Sequence, residues 1–246
     1  MASLNSFGLT VYSFNSPGGN RSQRGFTLLE MGLVIFLVSL LLVGSLRGAE
    51  LIDTADVKGL VKDFQNLQIL LATYQDRFRS QPGDDRNAKA HFGEDAVPGE
   101  GNGVIDGNWY DSSGTSEASR TWQHIRLAGL MSGATIFTAS DYPALNSIGY
   151  PIGLQSGTSD PAKSPIRNVQ GGPLLGTYIM CSRGIPGKLV LSLDIQLDDG
   201  NPGSGAMLAT LDTGAAYTLG SAAATLATGT PTDIQPERSY IVCMRF

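Results

Sequence analysis

Histidine and cysteine are nearly absent from this chain, two of each in 246 residues. His91 and His124 have no cysteine or carboxylate at metal-ligand spacing, which leaves no zinc signature. His91 sits alone in a polar loop with no visible partner. His124 lies beside the apolar face of a short predicted helix, where a surface or hydrogen-bonded imidazole is expected rather than a ligand. There is no G-x-S-x-G elbow, no phosphate-binding glycine loop and no Cys–His pairing, so no enzymatic constellation emerges. An excess of positive charge is missing too. The formal net charge is −5, which gives no electrostatic footprint for nucleic acid.

Acidic residues are missing from Met1 to Arg24, whereas Arg21 and Arg24 stand just before a long apolar run. Phe26 to Leu46 is 21 residues with a single formal charge, Glu30. As a helix at about 1.5 Å per residue, this run matches the roughly 30 Å of bilayer hydrocarbon. The basic flank keeps the amino terminus cytoplasmic and sends the rest of the chain outward. A conventional cleaved signal has a shorter apolar region ending at an A-x-A-like site, which SLRGAE at 45 to 50 does not supply. In an oxidising compartment Cys181 and Cys243 read most simply as one disulfide, with two buried thiols as the alternative. The bond would close a 63-residue segment, stabilising the fold by on the order of 4 kcal/mol in the chain-entropy model.

The carboxylate near the start of that helix calls for a partner, because translocon scales charge about 2.5 to 3.5 kcal/mol for an acid at the centre of a membrane helix and less near its end. A monomeric anchor would instead let Glu30 snorkel to the interface. The stretch RGFTLLEMGLVIFLVSLLL resembles the class III signal of type IV pilins and pseudopilins: a basic leader ending in Gly, then Phe, then Glu at the fifth mature position, then an apolar helix. The resemblance directly covers about residues 21 to 50. It implies that a prepilin peptidase cuts between Gly25 and Phe26 and methylates the Phe26 amine. Loss of Arg21 and Arg24 then takes the charge from −5 to −7. It further implies that Glu30 meets a Phe26 amine during assembly, and a neighbouring carboxylate would hold that amine protonated. Gly32, Ser39, Gly44 and Ser45 offer small residues for close helix approach. The family also often closes a surface-exposed loop near its C-terminus with a disulfide.

Apart from glycines 32, 44, 48 and 59, no helix breaker occurs from Phe26 to Gln81. Beyond Leu51, Val57, Leu60, Val61, Phe64, Leu67, Leu71, Tyr74 and Phe78 recur at three- and four-residue intervals, an apolar stripe that packs on a core until Pro82-Gly83 ends it. A second helix is predicted over 116 to 128, capped by Thr115 or Ser116, facing inward with Ala118, Trp122 and Ile125, and followed by Gly129. Strands are predicted at 176–182, 188–193, 215–219 and 239–246. Residues 203–232 read as an exposed low-complexity loop with a short strand inside. The one N-x-S/T site, Asn20-Arg21-Ser22, falls in the leader.

Two loops concentrate oxygen donors. PGEGNGVIDGNWYD offers Glu100, Asn102 and Asp106, with Asp84 and Asp85 upstream, and LDIQLDDGNPGSG offers Asp194, Asp198, Asp199 and Asn201. Such clusters suit calcium, yet neither follows EF-hand spacing, and capping Asp or Asn with turn-forming Gly is the reading the residues favour. No other cofactor is expected.

The expectation is therefore an α+β, pilin-like fold: a leader (1–25), a transmembrane and filament-core half-helix (26–53), and an exported head (54–246) whose helix continues through 54–81 onto a C-terminal antiparallel sheet. The resemblance implies a filament subunit serving adhesion, motility or DNA uptake. Its implied partners are copies of itself, the prepilin peptidase and inner-membrane assembly machinery, and no nucleic acid is expected for the isolated subunit. Before assembly it would sit in the inner membrane, later in a surface pilus or a periplasmic pseudopilus. The alternatives are a type II secretion pseudopilin and a non-polymerising, membrane-anchored periplasmic binding domain.

Overall fold

The computed structural model describes residues 25–214, 217–224 and 233–246, and only the backbone at 44–47 and 49. The leader with Arg21, Arg24 and Asn20 therefore lies outside the described residues. So do positions 215–216 and 225–232, and the side chains of Gly44 and Ser45 are likewise not described. The chain divides into two compact units, Met1–Gly48 and Ala49–Phe246.

Helix α1 runs from Leu28 to Phe78. Within the first unit, every described side chain from Phe26 to Val43 is exposed. Among the described residues no helix is long and apolar enough to cross a membrane; the span expected over 26–46 includes 44–46, whose side chains are not described.

Within the second unit, α1 behaves as its stripe predicts. Val57, Leu60, Phe64, Leu67, Leu71 and Tyr74 are all buried, and Val61 and Phe78 are partly covered. The helix stops at Phe78, three residues short of the expected Gln81, because Arg79 takes a left-handed φ of 55°. A short helix α2 (Ala88–Phe92) follows, then α3 (Glu117–Leu127), whose N-cap Ser116 accepts the Ser119 N–H and whose end meets Gly129 at φ 70°. Ala118, Trp122 and Ile125 point into the core as expected.

The sheet is antiparallel with four strands, β1 (Ile152–Ser156), β3 (Tyr178–Pro186), β6 (Ser239–Arg245) and β4 (Met207–Leu211), in the order β1-β3-β6-β4. The two-residue strands β2 (Ile166–Arg167) and β5 (Ser221–Ala222) pair in parallel beside it. Alternation along the strands sends their side chains to two faces. Leu154, Met180, Met207, Ala209 and Val242 join the α1 stripe and α3 in the larger core; Ile179, Cys181, Leu208, Ile241 and Cys243 form a smaller one with Trp109, Ile166 and Leu174. Both faces of the sheet are thus covered, and the molecule is α+β with an antiparallel sheet. Gly153 in β1 has a steric reason: a Cβ there would meet the Trp109 carbonyl at 1.8 Å.

Three expectations are corrected. Residues 188–193 are not a strand but part of helix α4 (Gly187–Leu197). Leu189, Val190, Leu193 and Asp194 are buried while Leu191 and Ile195 are exposed, a helical and not a two-residue repeat. Residues 217–219 are not in a strand either; the strands inside the low-complexity region are β4 and the two-residue β5. And β1 lies outside the four predicted strands, since its buried IGLQ segment does not alternate.

Candidate functional site

At the amino-terminal junction, Gly25 and Phe26 precede the helix, both exposed, and a Cβ on Gly25 would meet nothing within 4 Å. Thr27 caps α1: its Oγ1 accepts the Glu30 N–H at 3.1 Å and its carbonyl accepts the Met31 N–H at 3.1 Å. Glu30 thereby occupies the third helical position, matching the T-x-x-E sequence pattern, where the helix dipole favours negative charge. The sequence reading found Gly25, Phe26 and Glu30 but not this local role of Thr27, though the spacing alone carries the signal.

The disulfide exists, Cys181 to Cys243. Both residues are fully buried, on the face of the sheet covered by Trp109 and Ile166, so the bond is interior and not on a surface loop.

Of the first acidic loop, Glu100 and Asp106 come together with Glu117, which the sequence reading missed because it lies on α3 and serves as an inward acid. Glu117 is already engaged: Oε1 accepts the Glu100 N–H at 2.9 Å and Oε2 the Asp106 N–H at 3.1 Å. Burial, more than anything else, pushes its carboxyl up, against the pull of those two N–H donors. Asp84 is similarly occupied, accepting from Gly101, Asn102 and Gly103 N–H groups. The Asn102 side-chain amide donates to Glu100. Asp85 accepts from the Tyr74 hydroxyl at 2.8 Å and the Asn87 N–H at 2.8 Å, and its Oδ2 lies 2.8 Å from His91 Nδ1. His91 is therefore not partnerless, and it packs against Phe78 and Phe92. The buried carboxylates of Asp84 and Glu117 thus shape the GEGNGVIDG loop by accepting its N–H groups.

His124 is fully buried and hydrogen-bonded at both nitrogens. Nδ1 accepts the Gly83 N–H at 2.9 Å, which makes Nε2 the donor to the Val97 carbonyl at 2.8 Å. Burial lowers its pKa below the ordinary histidine value.

In the second loop Asp194, Asp198 and Asp199 each offer a carboxylate oxygen within 4.8 Å of the others. Asn201 adjoins this trio through its backbone, its N–H donating to Asp199 Oδ1 at 2.8 Å, while its own Oδ1 accepts the Gly203 N–H at 3.2 Å. Scans of protein-family models, curated proteins and solved structures return no match for the chain.

Proposed function

We propose that the chain is a subunit of a type IV pilin-like filament, made as a prepilin, cut after Gly25 and polymerised through residues 26–53, with the pilin-like head of 54–246 outward. One observation carries this reading. From Phe26 to Val43 every described side chain is exposed, and the apolar ones point to all sides of α1 and not to one stripe. An amphipathic helix needs one apolar neighbour, whereas a helix apolar all round needs an apolar surrounding. Lipid supplies that surrounding before assembly, in the inner membrane, and the same helix of neighbouring subunits supplies it afterwards.

The junction suits this sequence of events. The Gly25–Phe26 bond lies in exposed, non-helical backbone two residues before α1, where a peptidase can reach it without unwinding a turn. Cutting there creates a cationic amine on Phe26, close to the one acid of the apolar run. The fibre role covers adhesion, motility or DNA uptake. Mass spectrometry of the mature amino terminus tests the reading: a chain beginning at methylated Phe26 is expected. An intact Met1, or a cut near Ala49, would overturn it in favour of a monomeric anchored domain. Persisting fibres together with a periplasmically trapped enzyme in a deletion strain would turn it into a secretion pseudopilin.

A further inference from the structure

We propose that Asp194, Asp198 and Asp199 form a binding site for one calcium ion at the C-terminal end of α4. The first observation is the convergence of the three carboxylates within 4.8 Å. The second is independent of it. Asp194 is fully buried, and neither of its carboxylate oxygens closes a hydrogen bond of good geometry, although the Gly200 and Asn201 N–H groups lie near, a condition shared by no other acid among the described residues. Buried polar groups are almost always satisfied, and a buried carboxylate left bare is among the most unfavourable of them. Such a carboxylate calls for a cationic partner, and two further carboxylates converge with it.

The surroundings point to a cation and not to a donor side chain. Asp198 caps α4, its N–H donating to the Asp194 carbonyl at 2.6 Å, so the three acids gather where the helix end is itself electronegative. The last turn holds no basic residue, and no ion pair among the described residues includes any of the three. Asp198 uses Oδ2 to accept the Ala206 and Met207 N–H groups, and Asp199 uses Oδ1 to accept the Asn201 N–H, which fixes both carboxylates in place. The chain closes over them at Gly205, with φ +85° and a would-be Cβ only 2.1 Å from Asp198 Oδ2. Only glycine fits there.

The donor set decides the metal class. All three ligands are hard oxygens with no imidazole or thiolate, which argues against zinc and copper. Calcium takes six to eight oxygens in irregular geometry and accepts carbonyls and water beside carboxylates, whereas magnesium demands a near-ideal octahedron. Asp199 is exposed, so water can complete the shell.

The site does not depend on the filament reading, and its test needs no fibres. The full chain in detergent, stripped with EDTA, is titrated with calcium chloride by calorimetry and by thermal melting. One ion per chain is expected, with Tm raised by roughly 5–10 °C at a hundredfold excess over Kd. Asp194→Asn should bind at least tenfold more weakly and lose the calcium-dependent shift, yet melt no lower than the parent in EDTA, because it removes a buried bare charge. A merely structural aspartate would lower Tm in EDTA as well. Should Asp194→Asn fail to fold, the exposed Asp199→Asn gives the same comparison, and Asp106→Asn in the other acidic loop should keep the full response. A parent protein unmoved by calcium, a variant that responds like the parent, or magnesium binding as tightly as calcium overturns the proposal.

Discussion

Cys181 and Cys243 stand directly opposite each other in the register of β3 and β6, so the disulfide joins two strands that already pair side by side at the centre of the sheet. Within the native state it adds little reach, since the ladder already holds these residues together. Its effect falls on the unfolded chain, where it closes a loop across a sequence separation of 62.

Replacing both cysteines by alanine should therefore lower stability by about 2–5 kcal/mol, read as a lower denaturant midpoint with the far-ultraviolet spectrum of the native state unchanged. Reducing agent alone should leave the native protein oxidised, because both sulfurs are buried beneath the second core. Rapid reduction under native conditions would show that this face opens readily.

The capping geometry at Thr27 separates two roles for Glu30. Thr27→Ala removes the cap and should loosen the first turn by about 1 kcal/mol while sparing fibre formation. Glu30→Gln keeps a residue suited to the capping box but removes the charge. If Glu30 neutralises a Phe26 amine in the fibre, this variant is still inserted and cut but enters fibres poorly, and Glu30→Val behaves alike. Counting fibres by electron microscopy decides the matter; normal yield from Glu30→Gln would assign the acid to the helix end alone.

His124 gives the fold a pH dependence with a definite sign. Its folded pKa is lowered, chiefly by burial, with Asp85 favouring the charged form and Arg120 and His91 opposing it. An unfolded histidine takes up a proton near pH 6.5, whereas the buried one, with Nδ1 facing the Gly83 N–H, does not. The contribution is therefore complete above about pH 6.5 and declines as pH falls below it, because the unfolded chain then binds the extra proton. His124→Gln should flatten the stability profile between pH 6.5 and 5, as followed by urea melts. An unchanged slope would place the acid sensitivity elsewhere.

What the sequence made legible was what repeats locally. The α1 stripe from Val57 to Tyr74 and the α3 face follow a period of 3.6, and β3 and β6 carry near their starts the aromatic and β-branched residues Tyr178-Ile179 and Tyr240-Ile241-Val242 that sheets favour. The KLVLSL segment defeated that logic because six mostly apolar residues fit a strand or a helix equally; the tie was broken by packing, with Leu189 and Leu193 turned to the core and Leu191 to solvent. The sites were legible in proportion to their compactness. Gly25, Phe26, Thr27 and Glu30 lie within six consecutive residues. Asp194, Asp198 and Asp199 sit on one helix end. Glu117 joins Glu100 and Asp106 only because α3 folds across that loop, and His91 finds Asp85 only because the chain turns back through α2.

The strand order also sets when the head can exist at all. β6 follows the other strands in sequence yet lies between β3 and β4, so during synthesis the sheet lacks its middle until residues 239–245 have emerged. Until then β3 and β4 have no partner between them, and the α1 stripe faces half a core. Folding of residues 49–246 must wait for synthesis to reach β6, and a nascent chain in that interval exposes the strand edges and apolar surface that chaperones recognise.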